Sequence, residues 1–206
     1  MNQAATVLPR ERFVEFDEEN HVYYVDGEAW PSVTQILKEE SVIDDEWFTE
    51  YGRWRGSAVH RATQLLDEGR LDPKSVVEEL RGYVKGWAAF LKATKFRPAL
   101  VEQYVWSDSH RYCGTLDRSG GFAGQEPGMA AVLIDIKTYT PQDWAALQLA
   151  GYGHAVEPRE VFRRIAVRLK ADGTYELREF PIQDYLSDVN VFLGMTGSVR
   201  WKQLHV

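Results

Sequence analysis

The chain has 206 residues, of which 44% are hydrophobic and 27% are charged, and its formal net charge is −7. These values predict a globular protein with a full hydrophobic core, and the acidic balance argues against a protein that coats nucleic acid passively. No apolar stretch approaches the roughly 20 residues that span a bilayer, and the first residues lack the features of a secretory signal, so we expect a cytoplasmic protein with no membrane partner.

No repeat, low-complexity block or linker divides the sequence. We therefore predict one domain over residues 1–206, with an N-terminal extension over 1–45, a core over 46–195 and a tail over 196–206. The single cysteine, Cys113, excludes an internal disulfide and a four-cysteine zinc or iron–sulfur centre within the chain.

The first half of the chain predicts a β-hairpin and then helices. Residues 11–16 and 22–30 have the pattern of two strands, with Asp26-Gly27 as a closing turn. Pro31 opens a short helix that ends near Lys38. Two long helices follow, over about 46–66, where Gly52 and Gly56 are candidate breaks, and over about 74–94.

The second half predicts a sheet with two more helices. The strand patterns cover residues 99–106, 111–118, 130–139, 161–170 and 174–180, and the glycine-rich segment 119–128 is expected to join the second strand to the third. Thr140 and Pro141 have the pattern of a helix start, for a helix that runs to about Ala155. A last helix covers about 182–194. The order of elements predicts an α/β domain with a mixed central sheet.

An acid and a base interrupt the most apolar of these strands. Residues 131–134 read Ala-Val-Leu-Ile, which is typical of a strand covered on both faces, and Asp135 and Lys137 follow directly. Residues two apart in a strand point to the same side, so these two side chains project together, opposite Ile134 and Ile136. Burying both charges is costly unless each finds a partner or a metal, so the pair is a candidate phosphodiesterase site.

A second acid, Asp117, ends the predicted strand before this one. Because neighbouring strands lie about 4.8 Å apart, Asp117 and Asp135 could share a cation. Magnesium prefers oxygen ligands, so two acids and the carbonyl of Ile136 form a plausible ligand set. The alternative interpretation of Asp117 alone is a turn residue before a glycine-rich loop.

Three further side chains have both a structural and a functional interpretation. Gln148 and Tyr152 are four apart and share one face of the helix after the buried strand, where they either pack in the core or hold a substrate group. His60 has small and polar helical neighbours, which suits either a surface residue or a ligand for manganese. The remaining histidines have no close partners, so we expect no zinc site.

Two groups of residues are candidates for contact with nucleic acid. Basic side chains cluster in two places, and each cluster is either a solvated face or a phosphate track; they are Arg53, Arg55 and Arg61, and then Arg159, Arg163, Arg164, Arg168 and Lys170. Some of the seven tryptophans could stack on an unpaired base, whereas most are expected in the core; the candidates are Trp54, Trp87, Trp106 and Trp144.

Four short motifs in sequence order carry a resemblance to a known superfamily. They are Gly-Ser-Ala-Val-His (56–60), Gly-Thr-Leu-Asp (114–117), Ile-Asp-Ile-Lys-Thr (134–138) and Gln-Leu-Ala-Gly-Tyr (148–152). Together they resemble the PD-(D/E)XK nucleases, and in particular the RecB-like branch with its phage-type exonucleases. The opening of the chain, with His-Val-Tyr-Tyr-Val-Asp-Gly and Pro-Ser-Val-Thr-Gln-Ile-Leu, is also similar to phage-type members. The resemblance covers most of residues 20–180.

The resemblance implies a role for each matching residue. His60, Asp117 and Asp135 would be ligands of one or two Mg²⁺ or Mn²⁺ ions, and Lys137 would be the catalytic lysine. Gln148 and Tyr152 match the Gln-x-x-x-Tyr signature of the superfamily. Glu102 matches, less specifically, an auxiliary acid of some members.

The implied fold is a restriction-endonuclease-like core, a mixed sheet flanked by helices, with an N-terminal hairpin and helical addition. The strand motif is Asp-x-Lys where many relatives have Glu-x-Lys, and the cysteines of the iron–sulfur members are missing, so we expect no cluster. No phosphate-binding glycine loop is present, so we also expect no nucleotide cofactor.

The resemblance implies a metal-dependent DNA exonuclease that acts in phage-type recombination or DNA repair, in the cytoplasm of a bacterium or an infected host. Its substrate would be single-stranded DNA or a duplex end, and it would work alone, as a homo-oligomer or with a recombination partner protein. Three alternatives stay open: a structure-selective endonuclease or resolvase of the same fold, an inactive DNA-binding module, and a structural protein with a coincidental Asp-x-Lys.

Overall fold

The computed structural model describes residues 12–18, 20–44, 49–123, 131–156 and 161–205, except for the side chains of Ala131 and Phe162. Several predicted features lie outside the described residues. They are residue 11 of the first strand, residues 46–48 of the first long helix, residues 124–128 of the glycine-rich connection, residue 130 of the apolar strand, and Arg159.

The chain begins with a small antiparallel sheet of three strands in the order β1-β2-β3. The strands are β1 (Val14–Asp17), β2 (Val22–Val25) and β3 (Glu28–Trp30). The predicted turn at Asp26-Gly27 is confirmed, since these residues have positive φ, 51° and 81°, and it divides the stretch 22–30 into two strands. Two successive residues of positive φ form the tight turn that suits a two-residue hairpin, so the chain reverses there.

Three helices follow. They are α1 (Val33–Glu39), α2 (Glu50–Asp67) and α3 (Glu78–Thr94). A capping box fixes the start of α1, since Ser32 accepts from the Gln35 backbone N–H and the Gln35 side chain accepts from the Ser32 backbone N–H. Neither Gly52 nor Gly56 interrupts α2. The second long helix starts at Glu78, later than residue 74.

The main sheet has five strands in the order β4-β5-β6-β7-β8. They are β4 (Phe96–Ser107), β5 (Tyr112–Phe122), β6 (Ala131–Lys137), β7 (Val161–Leu169) and β8 (Tyr175–Phe180). Only the β6–β7 pair is parallel, and helix α4 (Ala145–Val156) connects these two strands. A 3₁₀ turn (Ile182–Asp184) and helix α5 (Tyr185–His205) complete the fold, a mixed α/β architecture.

Three predicted boundaries in this half are wrong. Strand β5 continues through the glycines to Phe122. A Cβ at Gly120 would lie 2.1 Å from the Arg97 carbonyl oxygen of β4, so the glycine permits a close approach of the two strands and does not mark a loop. Helix α4 starts at Ala145, not at Thr140, since the backbone N–H of Ala145 bonds three residues back, to Gln142.

Helix α5 continues to His205, well beyond the predicted end at residue 194. Its buried face repeats through Phe192, Thr196 and Val199, so the packing that stabilises the helix does not stop at the predicted end. Gly194 lies on the exposed side of the helix.

Both faces of the main sheet are covered, as predicted for β6. On one face Leu133 packs in a core with side chains of α1, α4 and α5. On the other face Val132, Ile134 and Ile136 pack with α2 and α3. Among the described residues, no helix combines the length and the apolar character that crossing a membrane requires.

The in-and-out alternation of β5 reverses at Asp117. Tyr112 and Leu116 face the core of α1, α4 and α5, whereas Arg118 reaches α2 and α3 on the opposite face. In a regular strand these even-numbered residues would all share one face. The neighbouring strand is irregular at the same level, since Glu102 of β4 has a φ of 45°. This irregularity turns Asp117 and Glu102 towards the site described next.

Candidate metal centre

The candidate site lies where β5 and β6 separate. Their last registered pair is Arg118 with Ile134. Beyond it the Asp117 carboxylate takes over the pairing, because its Oδ2 accepts a hydrogen bond of 2.6 Å from the Ile136 backbone N–H. A side chain that replaces a strand partner in this way is held rigidly, and its second oxygen is left to face the site.

His60 reaches this fork from α2. Its Nδ1 lies 3.2 Å from Glu102 Oε1 and 3.6 Å from Asp117 Oδ1, and its Nε2 lies 3.0 Å from the Ile136 carbonyl oxygen. Gly56, one turn earlier on the same face of α2, leaves open space where a Cβ would stand. The His60 side chain is 28% exposed and that of Glu102 18%, so the cluster is open to solvent on one side.

His60, Glu102 and Asp117 together could hold a metal ion, since one ligand atom from each lies within 4.8 Å of the others. Adjacent oxygen or nitrogen ligands of Mg²⁺ lie about 3 Å apart, close to the observed His60 separations. The Nε2–H of His60 then donates to the Ile136 carbonyl, the usual second hydrogen bond of a metal-bound histidine. In this geometry the Ile136 carbonyl orients His60, and its predicted role as a ligand stays a prediction.

Asp135 and Lys137 lie beside this group and share one side of β6, as predicted. Lys137 Nζ donates to Asp135 Oδ1 over 2.7 Å and to Gln148 Oε1 over 3.0 Å. Asp135 is not a member of the three-ligand group, but its Oδ2 is buried and has no hydrogen-bond partner among the residues that the structure describes. A buried carboxylate oxygen without a donor is destabilising unless a cation or water satisfies it, so it is consistent with a site for a cation.

Gln148 and Tyr152 connect the site to α4. The Gln148 amide donates to Thr34 Oγ1 over 3.4 Å and also interacts with the Tyr152 phenol. Tyr152 packs against Gly114, where an added Cβ would lie 3.0 Å from its ring. Burial raises the pKa of the Tyr152 phenol well above its ordinary value, so Tyr152 is a neutral hydrogen-bonding group.

The electrostatics of the site favour positive charge. Burial alone would lower the pKa of His60, but the Asp117 and Glu102 carboxylates outweigh it and raise that pKa to about 9. Burial raises the pKa of Asp117 to about 6, against the attraction of His60. Burial also opposes the charge of Lys137, yet Asp135 raises the pKa of that ammonium above its ordinary value. In this arrangement Lys137 is a protonated hydrogen-bond donor to Asp135 and Gln148.

A fully buried arginine, Arg118, contacts two residues of the candidate ligand group, Glu102 and Asp117. It was not among the residues predicted from the sequence. Its guanidinium donates to Glu102 Oε1, to Asp67 Oδ2, to Thr63 Oγ1 and to the Asp117 carbonyl, over 2.6 to 3.1 Å. The available signal was an arginine beside Asp117 in an otherwise apolar and glycine-rich strand. Such a residue needs a buried partner.

The charges of this cluster match one divalent cation. With His60 neutral and every carboxylate ionised, four acids (Asp67, Glu102, Asp117 and Asp135) oppose two cations (Arg118 and Lys137), which leaves a net charge of −2. A mixed set of imidazole and carboxylate ligands suits Mn²⁺ and tolerates Mg²⁺. The donor set, the charge and the unsatisfied Asp135 oxygen therefore all fit a divalent ion.

The second predicted basic cluster is not a free surface. Arg164 is fully buried and bonds the carbonyls of Ala146 and Pro181 together with Asp188. Arg163 pairs with Glu179, and both Arg168 and Lys170 pair with Glu176. Among the described residues of this cluster, acids of β8 pair with the basic side chains that are not fully buried, which favours the solvated face over the phosphate track.

The first basic cluster lies on α2 with His60. Arg53 and Arg61 are exposed, whereas Arg55 lies over the rings of Tyr51 and Tyr83. Trp54 is 46% exposed, while Trp87 is fully buried and Trp106 and Trp144 are half-buried. The exposed basic and aromatic side chains of this helix therefore lie within two turns of His60.

Comparisons with known proteins add little to this geometry. No protein-family model matches the chain, and no curated protein matches its sequence. Among solved structures, the chain is similar to the crystal structure of a protein from Eubacterium rectale named "Putative exonuclease", with 14% sequence identity and a TM-score of 0.47. That match covers 84% of this chain and 74% of the other. A likeness at this level carries no argument about chemistry, which therefore depends on the side chains described above.

Proposed function

We propose that the chain is a divalent-metal-dependent deoxyribonuclease of the PD-(D/E)XK type that acts as an exonuclease. The observation that carries the proposal is the group of His60, Glu102 and Asp117 beside the Lys137–Asp135 pair. Three cation ligands and one fixed ammonium within a single fork of the sheet are the parts that metal-assisted hydrolysis of a phosphodiester needs.

His60, Glu102 and Asp117 would hold the ion, with Asp135 as a further carboxylate towards it. A bound divalent ion supplies a Lewis acid that polarises the scissile phosphate and lowers the pKa of water. Lys137 keeps its proton and donates, so its role is to orient a water or a phosphate oxygen by a charged hydrogen bond. Gln148 holds the Lys137 ammonium in place, and Tyr152 supports Gln148.

The exposed side chains of α2 near His60 support a nucleic-acid substrate. Arg53 and Arg61 supply exposed positive charge in a chain whose overall charge is negative, and Trp54 offers an exposed ring on which a base can stack. Gly56 has no side chain, so it leaves space for a DNA strand beside His60. Local basic charge next to a metal site attracts phosphate even when the whole protein is acidic.

The test is digestion of end-labelled single- and double-stranded DNA with Mg²⁺, with Mn²⁺ and with EDTA. The parent should release nucleotides only with metal, and Asp117→Asn and Lys137→Met should each lose at least about 100-fold in rate. Arg163→Gln, at a surface ion pair far from the fork, is the matched control and should keep full activity. Undiminished digestion by Asp117→Asn and Lys137→Met would refute the proposal.

A circular single-stranded substrate distinguishes the exonuclease from the endonuclease alternative. An exonuclease requires an end, so the circle should survive under conditions that degrade its linear form. Cleavage of the circle would replace the exonuclease with an endonuclease of the same site, and metal-dependent binding without cleavage of either form would favour an inactive DNA-binding module.

A further inference from the structure

We propose that Arg118 is a positioning residue that holds Glu102 in the place of a metal ligand. The inference rests on the proposed metal site. It goes beyond that site because it assigns a role to a residue that cannot itself bind a cation. The role of Arg118 is to hold the Glu102 side chain, which comes from a strained position of β4, where it can bind an ion.

Glu102 needs such a support. Its φ of 45° is a conformation that residues other than glycine rarely adopt, and strain of this kind persists only where surrounding contacts stabilise it. Two groups contact its carboxylate, His60 Nδ1 at 3.2 Å and the Arg118 guanidinium at 2.7 Å. Both contacts are made to the same oxygen, Oε1, so Arg118 fixes the Glu102 oxygen that faces His60.

Arg118 is itself held rigidly. Its side chain is fully buried, its Nε donates to Asp67 over 2.6 Å, and Asp67 also accepts from Trp87 Nε1 over 2.9 Å. The guanidinium carbon lies 5.5 Å from the centre of the Trp87 ring. These contacts join β5 to α3 and to α2, the helix that carries His60. The guanidinium therefore has little freedom to follow Glu102 if that side chain moves.

The charge of Arg118 is already matched by Asp67. Since one carboxylate neutralises the guanidinium, the hydrogen bond to Glu102 fixes position without cancelling the negative charge that a cation requires. Outer-shell groups of this kind orient metal ligands, and their loss typically lowers metal affinity by about 10- to 100-fold.

The double variant Arg118→Gln/Asp67→Asn tests the inference, because it removes the buried pair without changing the net charge. Binding of Mn²⁺ is measured by calorimetry and electron paramagnetic resonance, which need no nuclease activity. We expect affinity about 10- to 100-fold below that of the parent. The matched control is Arg164→Gln/Asp188→Asn, which removes another fully buried arginine with its acid, outside the ligand group, and should leave Mn²⁺ affinity within twofold.

The single variant Arg118→Lys keeps the charge and gives a second test if the double variant does not fold. We expect weaker Mn²⁺ binding, because an ammonium cannot bridge Asp67 and Glu102 as the guanidinium fork does. If Arg118 acts through Glu102, the same Lys substitution should change Mn²⁺ affinity less than twofold in a Glu102→Gln background. A structural defect alone would lower the affinity equally in both backgrounds.

Three results would overturn the inference. They are Mn²⁺ affinity within twofold of the parent in both Arg118 variants, an equal loss in the Arg164 control, and an undiminished Arg118→Lys effect in the Glu102→Gln background. A parent that binds no Mn²⁺ would overturn this inference and the proposed function together. A parent that binds Mn²⁺ but cuts no DNA would contradict the proposed nuclease alone, and the Arg118 affinities would still decide the positioning role.

Discussion

At the scale of single residues, a protonated His60 supplies positive charge to the ligand group when no metal ion is bound. As an imidazolium it donates through Nδ1 to Glu102 and through Nε2 to the Ile136 carbonyl, which explains why the neighbouring carboxylates raise its pKa to about 9. A metal that binds at Nδ1 must displace that proton, while the Nε2–H bond to Ile136 can stay. Metal binding and proton release at His60 are therefore linked.

This linkage predicts that Mn²⁺ binding at pH 7.5 releases about one proton and that affinity rises with pH up to about 9. The sign follows because His60 is protonated below its pKa and cannot ligate there. Calorimetry in two buffers of different ionisation enthalpy measures the released proton. At pH 9.5 the histidine is already largely neutral, so release should fall towards zero, which serves as the internal control. The same heat in both buffers at pH 7.5 would contradict the assignment of His60 Nδ1 as a ligand.

At the scale of elements, the site depends on how helices pack against the sheet. Helix α3 supplies Trp87, which holds Asp67 and through it Arg118. The same helix packs on the turn between β7 and β8, where a Cβ at Gly82 would lie 1.7 Å from the Ala171 carbonyl oxygen. The glycine thus allows α3 to lie close enough to the sheet for these contacts to form.

We therefore expect Gly82→Ala to lower the free energy of unfolding by roughly 3 kcal/mol, because the added methyl group meets rigid backbone. Gly194→Ala is the matched control, since Gly194 is helical and a Cβ there meets no atom within 4 Å. That variant should be more stable than the parent by up to about 1 kcal/mol, from helix propensity. Urea unfolding measures both. An unchanged midpoint for Gly82→Ala would show that α3 does not pack as described.

At the scale of the whole molecule, the fork gathers more negative charge than the surrounding protein neutralises. Before a cation binds, four buried or partly buried acids face three cations there, the His60 imidazolium, Arg118 and Lys137, and the chain as a whole carries a net charge of −7. Like charges held together oppose folding, so a cation that binds the folded state should stabilise the entire domain by mass action.

Addition of Mn²⁺ at about 100 times its Kd should therefore stabilise the protein by about 2.7 kcal/mol, and EDTA should reverse the effect. Thermal unfolding followed by circular dichroism measures the shift. Asp117→Asn should lose most of it, whereas Asp172→Asn, an exposed turn acid that bonds Thr174, should keep it. Equal stabilisation of both variants would indicate that the ion binds elsewhere.

Much of the site was predictable because it depends on local sequence. The position of Asp135 and Lys137 on one side of β6 follows from the two-residue period of a strand, and the approach of Asp117 to that strand follows from adjacency in a hairpin. Glu102 was marked only by the resemblance, as an auxiliary acid, since the regular alternation of 101–106 gives no sign of a positive φ at this residue. The neutralisation of Arg163 and Arg168 was not predictable, because it depends on which acids of β8 lie opposite.

Local sequence patterns were enough to predict the class of the domain, the buried strand with its acid and base, and the elements that carry His60, Gln148 and Tyr152. These follow from periodicity and turn chemistry, which act over a few residues. Only the tertiary structure decided that Glu102 joins His60 and Asp117, that Asp135 is held by Lys137, and that Arg118 lies buried beneath them. Contacts between residues far apart in sequence depend on strand register and on the break in alternation at Asp117, and no local pattern encodes either.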